Sequence, residues 1–204
     1  TVPSLGLAPC GRFRVLFYAS PVGPYFAGGS GLRLRLLRSV RVAGAGTGGA
    51  KAIGNYAGSL PVRTHWRRQG YDDVLYRHAA DPGRIGETSG ANVFVHLASG
   101  HIVTPDTDDQ ILPGITRDSV IALLRRRGET VDERAVTADE IFAEGREMFC
   151  TGTAWTVRSV AELTGDSRRR RFAETTLGTW AHQKLAAIKA GTAADPADWL
   201  TDLG

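Results

Sequence analysis

Arg12 to Ser20, with its apolar run from Val15 to Ala19, and Leu32 to Val40, where leucine alternates with arginine, predict two β-strands. Between them, Pro21-Val22-Gly23-Pro24-Tyr25-Phe26 has the composition of a loop. Asn55 to Gln69 reads as a helix that Pro61 must kink or start late, and Gly70 stops it. Asp73 to Arg77 and Asn92 to Ala98 read as strands, the second turning through Ser99-Gly100 into a hairpin with His101 to Thr104. Thr116 to Arg127 sets Val120, Leu123 and Leu124 at helical spacing and ends at Gly128. Thr137-Ala138-Asp139-Glu140 has the capping-box pattern and opens a short helix. Two further strands, Glu147 to Thr151 and Thr156 to Ala161, precede a last helix from about Phe172 to Lys189 with Trp180, Leu185 and Ile188 on its buried side. Strands outnumber helices, hairpins mix with single helices, and no segment repeats, so the predicted class is α+β.

Composition adds little to this and excludes more than it selects. A chain of 204 residues with 42% hydrophobic and 23% charged residues can bury one core, and one domain is the simplest expectation. No apolar run has membrane-spanning length and the opening residues do not read as a secretion signal, so no membrane partner and a cytoplasmic location are expected. Cys10 and Cys150 lie far apart and form no metal-ligand spacing, so a reduced pair and no metal are expected. The net charge of +4 is mild. Its densest cluster, Arg168-Arg169-Arg170-Arg171, follows the turn-like Gly165-Asp166-Ser167 and lacks interleaved aromatics, so it reads as a solvated loop and no nucleic acid is expected as a partner.

Four segments carry candidate chemistry. Lys51 sits among small residues in Gly48-Gly49-Ala50-Lys51-Ala52-Ile53-Gly54-Asn55-Tyr56, where a flat ligand could approach its amine. A desolvated amine is a nucleophile toward aldehydes, although a lone lysine in such a loop equally reads as solvent-exposed. Gly86-Glu87-Thr88-Ser89-Gly90-Ala91-Asn92 places an acid between glycines at a strand entrance. Leu112-Pro113-Gly114-Ile115-Thr116-Arg117-Asp118 opens a helix, whose free N–H groups and a hydroxyl can hold an anion. Thr151-Gly152-Thr153-Ala154 is a small strand-end loop with two hydroxyls. Each alone also reads as a cap, a turn or a surface acid; their order and joint content point to a phosphorylated, ring-bearing ligand.

These residues resemble the branched-chain aminotransferases, fold type IV enzymes that use pyridoxal 5′-phosphate. The likeness runs through Pro21 to Phe26, Gly49-Ala50-Lys51 with Gly54-Asn55-Tyr56, and Glu87 with Asn92-Val93-Phe94. It continues through Val103-Thr104-Pro105, Leu112 to Asp118, Gly152-Thr153-Ala154 and Asp195-Pro196 with Trp199. The resemblance implies mixed strands around a barrel-like core with flanking helices. It makes Lys51 the Schiff-base and proton-shuttling residue, Tyr56 the partner of the cofactor's phenolic oxygen, and Glu87 the partner of its ring nitrogen. Asn92, Gly114, Ile115, Thr116, Gly152 and Thr153 fall to cofactor binding, and Ala91, Ala154 and Trp155 to the substrate. Amino acids and 2-oxo acids are the implied substrates, and a homodimer, or a second chain supplying a small domain, the implied partner.

Departures from the family's pattern sharpen the expectation. Residues 1–11, with Pro3, Gly6 and Pro9, match an interdomain linker, and 12–204 match the large cofactor-binding domain, so the small N-terminal domain is expected to be absent, through truncation, cleavage or a split. Ala91 stands where relatives carry a larger residue, Trp155 where they carry a small one, and Arg158-Ser159 where they show Thr-Pro. A tryptophan there either closes the pocket or packs away from it. These changes leave open a pyridoxal-phosphate lyase or cyclase, or a non-catalytic half that keeps the fold, beside a transaminase.

Overall fold

The computed structural model describes residues 11–21, 23, 31–41 and 46–201. Alternating leucines of β1 (Leu32–Val40) are buried, and this strand lies parallel to both β2 (Asp73–Arg77) and β8 (Thr156–Gly165). β3 (Ile85–Thr88) runs antiparallel to β2. On the other side of β8 come β7 (Gly145–Gly152), β4 (Asn92–Leu97), β5 (Ile102–Thr104) and β6 (Val131–Glu133). The order is thus β3-β2-β1-β8-β7-β4-β5-β6, with β9 (Arg168–Arg171) also on β8, giving nine strands in one mixed sheet.

This order forces the sheet to curl. β3 and β4 stand five strand positions apart, about 24 Å in a flat sheet. Only Ser89, Gly90 and Ala91 connect them, a link that spans about 14 Å at full extension. The result is the curled half-barrel expected for the class. One apolar cluster joins β1, β3, β4, β7 and β8 to α4 (Ala138–Glu144). A second packs Phe94, stacked on Phe149 at 5.0 Å, against α3 (Ile115–Arg126) and α5 (Thr176–Lys189).

The segment Asn55 to Gln69 is two helices, α1 (Gly54–Ala57) and α2 (Ser59–Arg68). Pro61 is the third residue of α2, where its missing N–H has no intrahelical partner to lose, so the helix starts late and is not kinked. Gly70 follows α2 at φ +84, a backbone only glycine adopts without strain. Thr137 caps α4 by accepting from the Glu140 N–H at 3.2 Å. No described helix is long and apolar enough to cross a membrane.

Two expectations are corrected. Residues 12–20 form no strand: they pair with none of the nine, and Phe13, Val15, Leu16, Phe17 and Tyr18 are exposed. An apolar run specifies a strand only where a ladder partner exists, and these residues find none among the described residues. Arg168–Arg171 is an edge strand and not a loop, paired with β8 through a two-residue turn with positive φ at Asp166 and Ser167. Arg33, Arg169 and Arg171 gather on the buried Glu162, and Arg168 lies over the Phe142 ring at 4.4 Å. Four identical residues hide the strand's alternation from a sequence pattern. The linker expected over 1–11 lies, except for Gly11, outside the described residues, as does Cys10.

Glu147 ties the last helix to the sheet. It is fully buried in β7, and its carboxylate accepts from the N–H groups of Leu177 (3.0 Å) and Gly178 (2.7 Å) in the first turn of α5. Glu147→Ala strands those two donors and opens a cavity. The expected loss is about 3 kcal/mol, read as a lower urea midpoint.

Candidate active site

The Lys51 loop is built by close backbone approach. A Cβ at Gly48 would lie 2.5 Å from the Gln110 Cα, and one at Gly49 would lie 2.6 Å from the Asp108 carbonyl oxygen. Those glycines therefore let the loop press on residues 108–110, where the Gly49 N–H donates to the Asp109 carbonyl at 3.0 Å. Asn55, buried at the start of α1, knits the loop from inside. Its amide donates to the carbonyls of Thr47 (2.6 Å) and Ala50 (2.9 Å), and it accepts from the Thr47 hydroxyl at 2.5 Å. The loop so fixed presents Lys51, whose exposed Nζ donates to the Tyr56 hydroxyl at 3.1 Å.

Lys51 and Tyr56 stand at one wall of a cavity of about 270 Å³. Glu87, Ala91 and Asn92 line it from β3 and β4, residues 112–116 from the entry to α3, and Thr151 to Thr153 from the end of β7. The sequence-predicted Lys51, Tyr56, Glu87, Ala91, Asn92, Gly114, Ile115, Thr116, Gly152 and Thr153 are thus brought together around one space. Ala154 and Trp155 are not among its lining residues. Ala154 is exposed, and Trp155 is buried in the larger apolar cluster, packed away from the cavity.

Glu87 organises the inner wall. Its carboxylate pairs with the Arg41 guanidinium, accepts from the Leu112 N–H at 3.4 Å, and accepts from the Asn92 amide at 3.3 Å. Asn92 also donates to the Leu112 carbonyl at 2.9 Å, so Glu87 and Asn92 hold both polar groups of that residue. Burial pushes the Glu87 carboxyl up to about 7, against the pull of Arg41, the Leu112 N–H and Lys51. Desolvation outweighs the ion pair, leaving an acid that shares its proton near neutral pH.

Leu112 leads into α3, whose cap residue Gly114 has extended φ/ψ and whose first N–H groups receive no side-chain cap. Arg117, 2% exposed, pins that turn by donating to the Pro105 carbonyl (3.0 Å) and Glu133 (3.0 Å). The open N–H groups and the Thr116 hydroxyl make an anion seat opposite the acid. A basic amine, a phenol, a buried acid and an anion seat surround one cavity, a combination that suits a flat ring carrying a phosphate.

Arg41 has no place among the sequence-predicted site residues, and Asn55, present in the lysine motif, has no role among them. Arg41 follows directly on the leucine–arginine alternation of β1 and so resembles one more solvent-facing arginine. Its position between that strand and a glycine-rich loop is the available signal.

Fold and site define a class: a curled mixed sheet that gathers a lysine, a phenol and a buried acid around one cavity. The chain belongs to the amino-transferase class IV family, whose profile matches residues 7–163. It is similar to branched-chain-amino-acid aminotransferase 5, chloroplastic, of Arabidopsis thaliana, 38% identical over 98% of this chain and 49% of the relative. Among solved structures it is similar to the branched-chain aminotransferase of Thermoproteus uzoniensis with norvaline, at 30% identity and TM-score 0.77, covering 89% of this chain and 58% of that one. The branched-chain amino acid aminotransferase of Thermobaculum terrenum in its PLP form matches at 26% identity and TM-score 0.74, over 86% and 56%. The chain spans about half the length of the curated relatives it matches.

Two outcomes follow from this geometry. A Cβ at Gly114 would fall well inside contact distance of the Asn92 Oδ1, so Gly114→Ala costs about 1–3 kcal/mol. Adding Asn92→Ala relieves the clash, and the double variant is more stable than the summed singles require. The second outcome concerns pH. Below pH 4.5 Glu87 is protonated folded or unfolded; from there to about 7 the unfolded chain ionises first, so stability falls as pH rises. Glu87→Gln removes that fall, and urea midpoints across the window decline less than in the unchanged chain.

Proposed function

We propose that this chain is the cofactor-bearing large domain, residues 12–204, of a pyridoxal-phosphate transaminase that exchanges an amino group between amino acids and 2-oxo acids. The observation that carries the reading is Lys51 Nζ held 3.1 Å from the Tyr56 hydroxyl at a cavity that also exposes buried Glu87 and the start of α3. The family and the named functions of its relatives support the substrate class.

The residues fit the cofactor at each of its chemical groups. When bound, pyridoxal phosphate supplies a carbonyl that condenses with amines and a ring that accepts electrons. Lys51 supplies the amine that attaches and, when freed, moves a proton to and from carbon. The Tyr56 hydroxyl beside it accepts from that amine and can donate to an anionic ring oxygen. Glu87, raised to about 7, holds a proton toward the ring nitrogen, which keeps the ring electron-poor. The N–H groups of Ile115 and Thr116, with the hydroxyls of Thr116 and Thr153, hold the phosphate. Ala91 borders the space left for the substrate; Ala154, outside the lining, has no part in this reading.

The exposed Lys51 shows that this half leaves the site open to water on one side. A covering element from a small domain or from a second chain would exclude that water, and the active form is proposed to be a homodimer or such a complex. The free, buried Cys150 suits a reducing compartment such as the cytoplasm. A lyase or cyclase gains no support from Trp155, which packs in the core.

The purified chain incubated with pyridoxal phosphate is expected to develop visible absorbance, and borohydride to fix the cofactor on Lys51 as read by peptide mass. Lys51→Ala abolishes both. Glutamate formed from 2-oxoglutarate and a branched-chain amino acid identifies transamination. Ammonia or carbon dioxide released without glutamate points to lyase chemistry instead, and no absorbance in the unchanged chain refutes the cofactor reading.

A further inference from the structure

Behind Glu87 lies a second, much smaller cavity of about 10 Å³. Arg41 and Glu87 line both spaces, so this one adjoins the inner wall of the site. Tyr76, Arg77, His78 and Gln110 complete its polar lining. Three of these residues carry a buried polar atom without a partner: Arg41 Nε, the Tyr76 hydroxyl and His78 Nδ1. Tyr76 is 3% and His78 4% exposed, so bulk water reaches neither. Three such groups left unpaired at one place would each forfeit the hydrogen bonds they make in water.

The volume is that of a single water, and the chemistry matches one. His78 turns Nε2 toward the Asp108 carboxylate at 2.7 Å, which places the ring proton there and leaves Nδ1 as an acceptor. Arg41 Nε can only donate, and the Tyr76 hydroxyl can do either. One water accepting from Arg41 and donating to His78, with Tyr76 as a third partner, satisfies all three at once. The Arg41 charge is already felt at Tyr76, whose hydroxyl burial pushes up to about 12 while the guanidinium pulls it back.

We propose that this cavity is the site of one ordered water, and that Tyr76 and His78 act through it as positioning residues that hold Arg41 on Glu87. Arg41 has other anchors on its Nη2, the carbonyls of Gly48 (3.4 Å) and Gln110 (3.1 Å). The water is the anchor for Nε, and it fixes the tilt of the guanidinium plane against the carboxylate. Tyr76 and His78 thereby set how strongly the ion pair opposes the burial of Glu87. The consequence for catalysis rests on the cofactor reading above. The anchoring does not, so it can be measured without cofactor.

The test is a titration of the Glu87 carboxyl by carbon-13 NMR in the 204-residue chain without cofactor, the signal assigned with Glu87→Gln. Tyr76→Phe and His78→Phe each keep an aromatic ring and remove one partner of the water. Each is expected to raise the Glu87 midpoint by about half a pH unit or more. The double variant raises it no further than the larger single, because both remove the same bridge. The other charged side chains that face these residues, Arg41, Lys51 and Arg77 around the cavities, Asp73 near Tyr76 and Asp108 on His78, are kept in every variant. An unmoved midpoint, or shifts that simply add, overturns the proposal whether or not the chain binds pyridoxal phosphate. A high-resolution crystal structure of the unchanged chain decides the matter should a variant not fold. It is expected to show one water within hydrogen-bond distance of the Tyr76 hydroxyl and His78 Nδ1, and a dry cavity overturns the proposal.

Discussion

Thr88 ends the strand at one margin of the sheet, Asn92 begins the strand five places across it, and three residues must bridge them. That closure is what curls the sheet, and it holds only if the turn is pinned. The Thr88 N–H donates to the Ala91 carbonyl at 3.0 Å, and the Ala91 N–H donates to the Thr88 hydroxyl at 3.0 Å. Between them the Ser89 hydroxyl lies 2.6 and 2.7 Å from the two oxygens of Asp73, a fully buried acid in β2. Burial pushes the Asp73 carboxyl up, against the pull of Ser89, the Val74 N–H and Arg63. A buried carboxyl bonded across two strands and a turn has no comparable set of partners in water, so the closed form is favoured over a flat one.

The site is a product of the same closure. Glu87 is the residue before Thr88 and Asn92 the residue after Ala91, so the turn that curls the sheet also sets the acid beside the amide. Together they seize Leu112, and with it the entry to α3. The ring-nitrogen end and the phosphate end of the proposed cofactor space are therefore positioned by one short stretch of chain. Lys51 arrives from a different quarter, on a loop fixed by Asn55 and residues 108–110 and tied to Glu87 through Arg41, which donates to the Gly48 and Gln110 carbonyls. A change in the closing turn would disturb Glu87 and the anion seat together, and would reach the lysine loop only through Arg41.

What the sequence disclosed and what it concealed divide along the range of the interactions. The spans of β1 and β2 were readable because alternating or continuous apolar runs declare themselves locally, and the capping residue Thr137 likewise. Residues in the cavity could be named because they sit in short motifs whose content implies a ligand. The strand β3, with only Ile85 as a large apolar side chain, has no local signal; its partner is β2, and its acid finds a mate in Arg41. Arg41 and Tyr76 were invisible for the same reason, since their surroundings are a carboxylate, carbonyls and a cavity formed by distant segments. Residues 12–20 err in the opposite sense, carrying a strand's pattern without a strand's neighbour.

Ala91 and Trp155 show how two departures can be one. Taken separately, a small residue beside the acid and a large one after the strand-end loop each suggest a reshaped substrate pocket. Both belong to the same buried apolar cluster, Ala91 at 3% and Trp155 at 5% exposure. Cores tolerate exchanges that conserve total volume far better than those that do not, so a loss at one position and a gain at another within one cluster offset each other. Of the pair, Ala91 alone faces the cavity, while Trp155 fills the cluster behind it.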